Sequence, residues 1–156
     1  MAKKASATDA QLVIQLYDLR REAEMRKARD WWMTKFWPRT ADEFLKVANA
    51  PGTQENAWLR QVGGYWGMAA ALVAAGALNT ELFLKPGVSG EMFVMFAKVH
   101  PFLPEVREKL NDPHAFADIE KVIKSTKWGR ERLQFMEKRL ELWREKLEKK
   151  GAATAG

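Results

Sequence analysis

Apolar residues recur along the chain at helical spacing and do not alternate as a half-buried strand requires. Near the start, Leu12, Leu16, Leu19 and Ala23 form one stripe at 4-3-4 spacing. A second stripe, Met25, Ala28, Trp32 and Phe36, is displaced around the same helix. No Gly or Pro falls between Thr8 and Pro38, so the pattern predicts one long helix. Thr8 is its expected N-cap, with Gln11 completing a capping box. At 1.5 Å per residue this helix is on the order of 40 Å long, more than a compact domain of this size needs.

Pro38 ends that element. Thr40 and Glu43 form another capping box and open a short helix to about residue 49, with Phe44, Leu45 and Val47 inward. After the Ala50-Pro51-Gly52 turn, Thr53 caps the next helix and Glu55 suits its N-terminal dipole. Residues 62–78 of that helix, VGGYWGMAAALVAAGAL, hold no charge, and ten of the seventeen are Gly or Ala. Gly63, Gly67, Ala71 and Ala75 line up as a smooth ridge that would let neighbours approach closely. A buried central helix is therefore expected here. The stretch is slightly short for a bilayer span and poor in Leu and Ile, so a core helix is favoured over a membrane segment.

Asn79 caps a brief turn over residues 80–84, and Lys85-Pro86-Gly87 breaks the chain. Ser89 with Glu91 opens a helix whose Met92, Phe93, Val94, Met95, Phe96 and Val99 are apolar on almost every side, which predicts burial. His100-Pro101 stops it, and Pro104 permits a short helix over 105–110. Asp112-Pro113 then starts a helical pattern running to Lys150, with Phe116, Ile119, Val122 and Ile123 inward and Gly129 marking a kink at 125–129. Beyond the kink Leu133, Met136, Leu140, Trp143 and Leu147 step 3-4-3-4 as a heptad-like seam. Gly151 is expected to end the helix. The fold class read from this pattern is all-α, a single helical domain over residues 8–150 with flexible tails at 1–7 and 151–156. A Gly/Ala-rich central helix is flanked by two long amphipathic helices running alongside each other.

Composition changes this picture in three respects. A length of 156 residues suits one substantial core. The net charge is +6, with nine basic and five acidic residues in 1–39, six and ten in 40–120, and eleven and five in 121–150. Both ends are positive around a negative middle, and acids are interleaved throughout, so solvated helix faces account for most of the charge. There is no Cys, hence no disulfide, thiol nucleophile or thiolate metal site. That fits a cytoplasmic location, with membrane association as the minority alternative. The first residues, MAKKASATDAQ, lack the apolar segment of a secretory signal.

Candidate chemistry is sparse. His100 and His114 both flank prolines at helix boundaries, outside any E-x-x-H or H-E-x-x-H spacing. Carboxylates such as Asp42, Glu43, Glu55 and Glu91 stand where helix N-termini already explain them. Gly63, Gly64 and Gly67 lack the strand–loop–helix context of a phosphate loop, and Ser6, Ser89 and Ser125 lack a nucleophile elbow. No catalytic, cofactor or metal site is expected. The aromatic-basic run from Arg26 to Trp37 is the most suggestive stretch, and packing of its aromatics against the core is favoured over stacking on bases or settling at a bilayer interface.

Residues 55–125 contain the helix LRQVGGYWGMAAALVAAGAL followed by the short NTELF turn, after a long N-terminal helix. In that order the chain resembles small bacterial proteins with a domain of unknown function. The resemblance implies a bacterial source, and it transfers no catalytic residue. The function expected overall is a non-enzymatic scaffold or protein-interaction module, forming a homodimer, with Trp31, Trp32, Trp37, Leu140, Trp143 and Leu147 as contacts. The alternative is peripheral binding of nucleic acid or anionic membrane through Arg20, Arg21, Arg26, Lys27, Arg29, Lys127, Arg130 and Arg132.

Overall fold

The computed structural model describes residues 3–155; residues 1, 2 and 156, parts of the two expected tails, lie outside the described residues. All regular structure among the described residues is helical: α1 Ala7–Leu19, α2 Ala23–Asp30, α3 Ala41–Ala48, α4 Gln54–Ala74, α5 Thr80–Phe83, α6 Pro86–Val99, α7 Leu103–Leu110, α8 Ala117–Lys124 and α9 Lys127–Thr154. A π-helical turn, Trp31–Lys35, follows α2, and a 3-10 turn, His100–Phe102, joins α6 to α7. One hydrophobic core collects side chains from α1 through α9. No helix among the described residues is long and apolar enough to cross a membrane.

The expected long first helix is broken. α1 ends at Leu19, and the Glu22 carboxylate restarts the chain by accepting the N–H groups of Glu24 (3.0 Å) and Met25 (2.9 Å). The Arg20 guanidinium lies over the rings of Tyr17 and Trp66, while Arg29 donates to the Arg20 carbonyl at 3.2 Å. A side-chain cap and tertiary contacts make a break that contains neither Gly nor Pro. The first N-cap is Ser6, in a reciprocal box with Asp9, in place of Thr8 with Gln11. Asp9 also accepts the Asn79 N–H at 2.8 Å, tying α1 to the loop before α5.

The most enclosed helix is α6, with Met92, Phe93, Met95, Phe96, Ala97, Lys98 and Val99 all buried. It packs on α9, α8 and the π-helical turn, whereas α4 packs on α2, α3 and α8. α4 buries one face through Leu59, Val62, Trp66, Ala69, Ala70 and Val73. The Gly63–Gly67–Ala71–Ala75 ridge is only partly covered, and a Cβ at Gly63 or Gly67 would meet nothing within 4 Å. No neighbour makes the close approach the ridge would allow, because packing follows the larger side chains on the adjoining face. At α6, Pro86 takes the first turn, and the chain kinks at Ser89 (φ −121°, ψ 16°), where a helix start was expected.

The expected helix from Pro113 to Lys150 is two helices. Residues 112–116 form a turn in which Asp112 accepts the His114 N–H (2.9 Å) and Phe116 adopts a left-handed φ of 58°. α8 follows, and α9 starts afresh on the Thr126 cap, whose hydroxyl accepts the Gly129 N–H at 2.9 Å. A Cβ at Gly129 would lie 2.0 Å from the Ile123 carbonyl oxygen, so this crossing admits only glycine. α9 packs on α6 and α8, and the expected pairing of the first and last long helices is not formed. Its inner residues Leu133, Met136 and Leu140 are taken up by the core. The helix continues through Gly151 to Thr154.

Candidate functional site

The π-helical turn widens the end of α2 so that the Phe36 N–H bonds the Trp31 carbonyl, five residues back, at 2.9 Å. The last carbonyls of a helix lack partners within it. Here Lys98 of α6 supplies them. Its Nζ donates to the carbonyls of Trp32, Met33 (3.3 Å) and Phe36 (2.9 Å), and sits 3.7 Å from the centroid of the Trp37 ring. Lys98 is fully buried. Burial, reinforced by the positive charge of Arg144, pushes its pKa down to about 7. Three carbonyl acceptors and the π face favour the ammonium, which has three hydrogens to donate. Lys98 therefore pins α6 to the 31–37 segment and has no open approach for a substrate.

On the outer side of this pin, Met33 and Trp37 face Trp143 and Leu147 of α9 across a groove of about 350 Å³, edged by Thr34, Lys146 and Lys150. The Trp37 indole donates to the Thr34 carbonyl at 3.2 Å, which sets the ring's orientation. Arg144 donates to the Pro38 carbonyl at 2.9 Å, and Arg39 pairs with Glu148, so both walls are tethered. Trp37, Trp143 and Leu147, three of the six contact residues expected from the sequence, thus come together from distant parts of the chain. Trp31, Trp32 and Leu140 are buried instead. Trp31 stacks on Phe36 (centroids 4.5 Å apart), Trp32 meets Phe36 edge-on (5.0 Å), and Leu140 is on the inner side of α9.

The eight candidate polyanion contacts are divided between the α1–α2 region and the start of α9, and most of them already have partners. Arg20 is half-buried against Tyr17 and Trp66. Arg29 pairs with Glu91 at 2.8 Å, and Glu91 also accepts the Trp66 indole N–H at 3.2 Å. Arg21 and Arg26 are exposed beside a wide groove of about 810 Å³ between α1, α2 and α4, where Asp18 and Glu22 offset them. Lys27 pairs with Glu24 at 2.6 Å. On α9, Lys127 lies 3.7 Å from Glu131, Arg130 donates to the Lys124 carbonyl at 2.6 Å, and Arg132 lies over Phe135. α2 packs on α4 while α9 packs on α6 and α8, so the two basic groups sit on helices that do not pack closely on each other.

His100 meets Glu137 at 2.5 Å, joining the end of α6 to α9, and His114 is exposed. Among the described residues no three His, Asp or Glu side chains are grouped to hold a metal ion. Sequence reasoning missed Lys98, Met33 and Arg144. A signal for Lys98 was present: it is the lone charge in the otherwise apolar run from Met92 to Val99, and a helix apolar all round has no wet face to receive it.

Neither a curated protein nor a solved structure matches the chain. A family model described as a domain of unknown function, DUF4760, matches residues 5–128. That span takes in α1 to α8, the π-helical turn and Lys98, and stops at the first turn of α9. Over these residues, most of its length, the chain belongs to the DUF4760 family.

Proposed function

We propose that the protein is a non-enzymatic helical interaction module that self-associates through the groove of Met33, Trp37, Trp143 and Leu147. The observation that carries this reading is the convergence of those side chains on one accessible apolar surface. Two features support it. The Lys98 pin and the Arg144 tether hold the groove in shape before a partner arrives, which lowers the ordering cost of association. Lys98, the amine whose pKa burial lowers to about 7, is enclosed and hydrogen-bonded as a helix cap, an arrangement that opposes a role in acid–base chemistry.

Light scattering at low and high salt tests the reading. The expected result is a dimer mass that survives salt, as an apolar contact should, and a monomer for Trp143→Ser/Leu147→Ser with an unchanged melting temperature. A wild-type monomer at both salt concentrations would overturn it.

A further inference from the structure

A second surface adjoins that groove along one flank of α9, sharing Lys146 at the boundary and beginning at Trp128, whose ring meets Phe93 of α6 edge-on. Trp128, Phe135 and Leu142 recur every seven residues and are 41%, 48% and 58% exposed. At 100° per residue they fall within a few tens of degrees of one another. Arg132, Arg139 and Lys146 repeat at the same interval immediately beside them. An arc of roughly 80°, from Leu142 round to Arg132, contains no carboxylate. The acids of α9 project from other directions, and four are engaged: Glu131 with Lys127, Glu137 with His100, Glu141 with Arg144 and Glu148 with Arg39. At the Trp128 end, Glu81 of α5 lines the same hollow as Trp128 and lies 3.9 Å from Lys85.

We infer that this face docks the protein onto an anionic lipid bilayer, with α9 lying in the plane of the interface. The spacing argues against a helical protein partner or a second copy. A coiled-coil seam needs two apolar positions per heptad, and the second is occupied here by Glu131, Lys138 and Glu145. A second copy would also set Arg132, Arg139 and Lys146 among like charges. Nucleic acid would complement the cations but not Leu142, which has no ring to stack on a base. A bilayer interface accepts all three kinds of side chain. Trp and Phe settle at headgroup depth, Leu enters the acyl boundary, and Arg and Lys extend along their stems to lipid phosphates. The guanidinium of Arg132 already lies over the ring of Phe135, 5.0 Å from its centroid, so cation and ring would meet the interface together.

The test is sedimentation of the full chain with vesicles of phosphatidylcholine alone or mixed with phosphatidylglycerol. We expect binding to the anionic vesicles that falls about tenfold or more between low and high salt, with little binding to the neutral ones. Phe135→Ser/Leu142→Ser should lose most binding at low salt. Arg139→Gln/Lys146→Gln should erase the preference for anionic lipid while circular dichroism stays unchanged. If Phe135→Ser loosens the fold, Leu142→Ser alone carries the apolar arm. Brominated acyl chains should quench part of the Trp emission, and less of it in Trp128→Phe. No vesicle binding, equal binding to both lipids, indifference to both double substitutions, or capture of a DNA duplex with vesicles ignored would each overturn the inference. A monomer that binds anionic vesicles would sink self-association and leave the membrane face standing.

Discussion

Lys98 gives the protein a distinctive response to pH. Its pKa is about 7 in the fold and about 10.4 in an unfolded chain. Between those values the unfolded chain holds a proton that the folded one lacks, so stability rises with pH across that window. Below the folded value both states are protonated and the effect is constant. Urea midpoints should therefore be higher at about pH 9.5 than at pH 7, with a flatter response in Lys98→Met. Two glycines should answer the same substitution with opposite signs. Gly129→Ala drives a methyl against the Ile123 carbonyl and should cost about 1–3 kcal/mol. Gly67→Ala fills open space in a helix interior and should gain about 0.5–1 kcal/mol. Thermal melts of the two variants check both signs.

α1 buries only Asp9 and Leu16 and depends on a few polar anchors. The Ser6 hydroxyl, the Ser6 N–H and the Asn79 N–H all bond the Asp9 carboxylate and lower its pKa. For a carboxyl shifted down, stability is present above its unfolded value, about 3.9, and is lost as pH falls through the folded one. Hydrogen exchange should show α1 amides losing protection in that acidic range before those of α6, and Asp9→Asn should reproduce the loss at neutral pH. Caps at Thr40, Thr53 and Asn79 were legible in the sequence, because each is a local bond from a side chain to an N–H three residues on. The division of α1 from α2 was not. It depends on Arg20 meeting Trp66 and Arg29 meeting Glu91, partners supplied by helices far along the chain.

The core runs past the end of the family match. Leu133, Met136 and Leu140 close the side of α6 from residues beyond 128. Burying each such side chain stabilises by about 1.5–3 kcal/mol, and three together are comparable with the whole stability of an ordinary domain. A chain ending at residue 128 should therefore lose cooperative thermal unfolding, and one ending at residue 150 should keep it. The all-helical class and the buried character of α6 were legible from periodicity alone. The choice of α6 over α4 as the axis was not, because the charge-free run 62–78 owes its apolarity to small residues that fill little volume. For the groove, the sequence supplied Trp37, Trp143 and Leu147 but not their meeting, since spacing along a helix says nothing about which distant turn it will oppose.

The enclosure of Lys98 also makes it a timer. Its amine is covered by the ring of Trp37 and by the carbonyls of Met33 and Phe36 in the segment that follows α2. An amine-acylating reagent can reach it only during the moments when that turn lifts away from α6. Surface lysines such as Lys35, Lys121 and Lys149 carry no such gate. The lag between their labelling and that of Lys98, followed by mass spectrometry, would report how often the turn opens, using an atom the chain already contains.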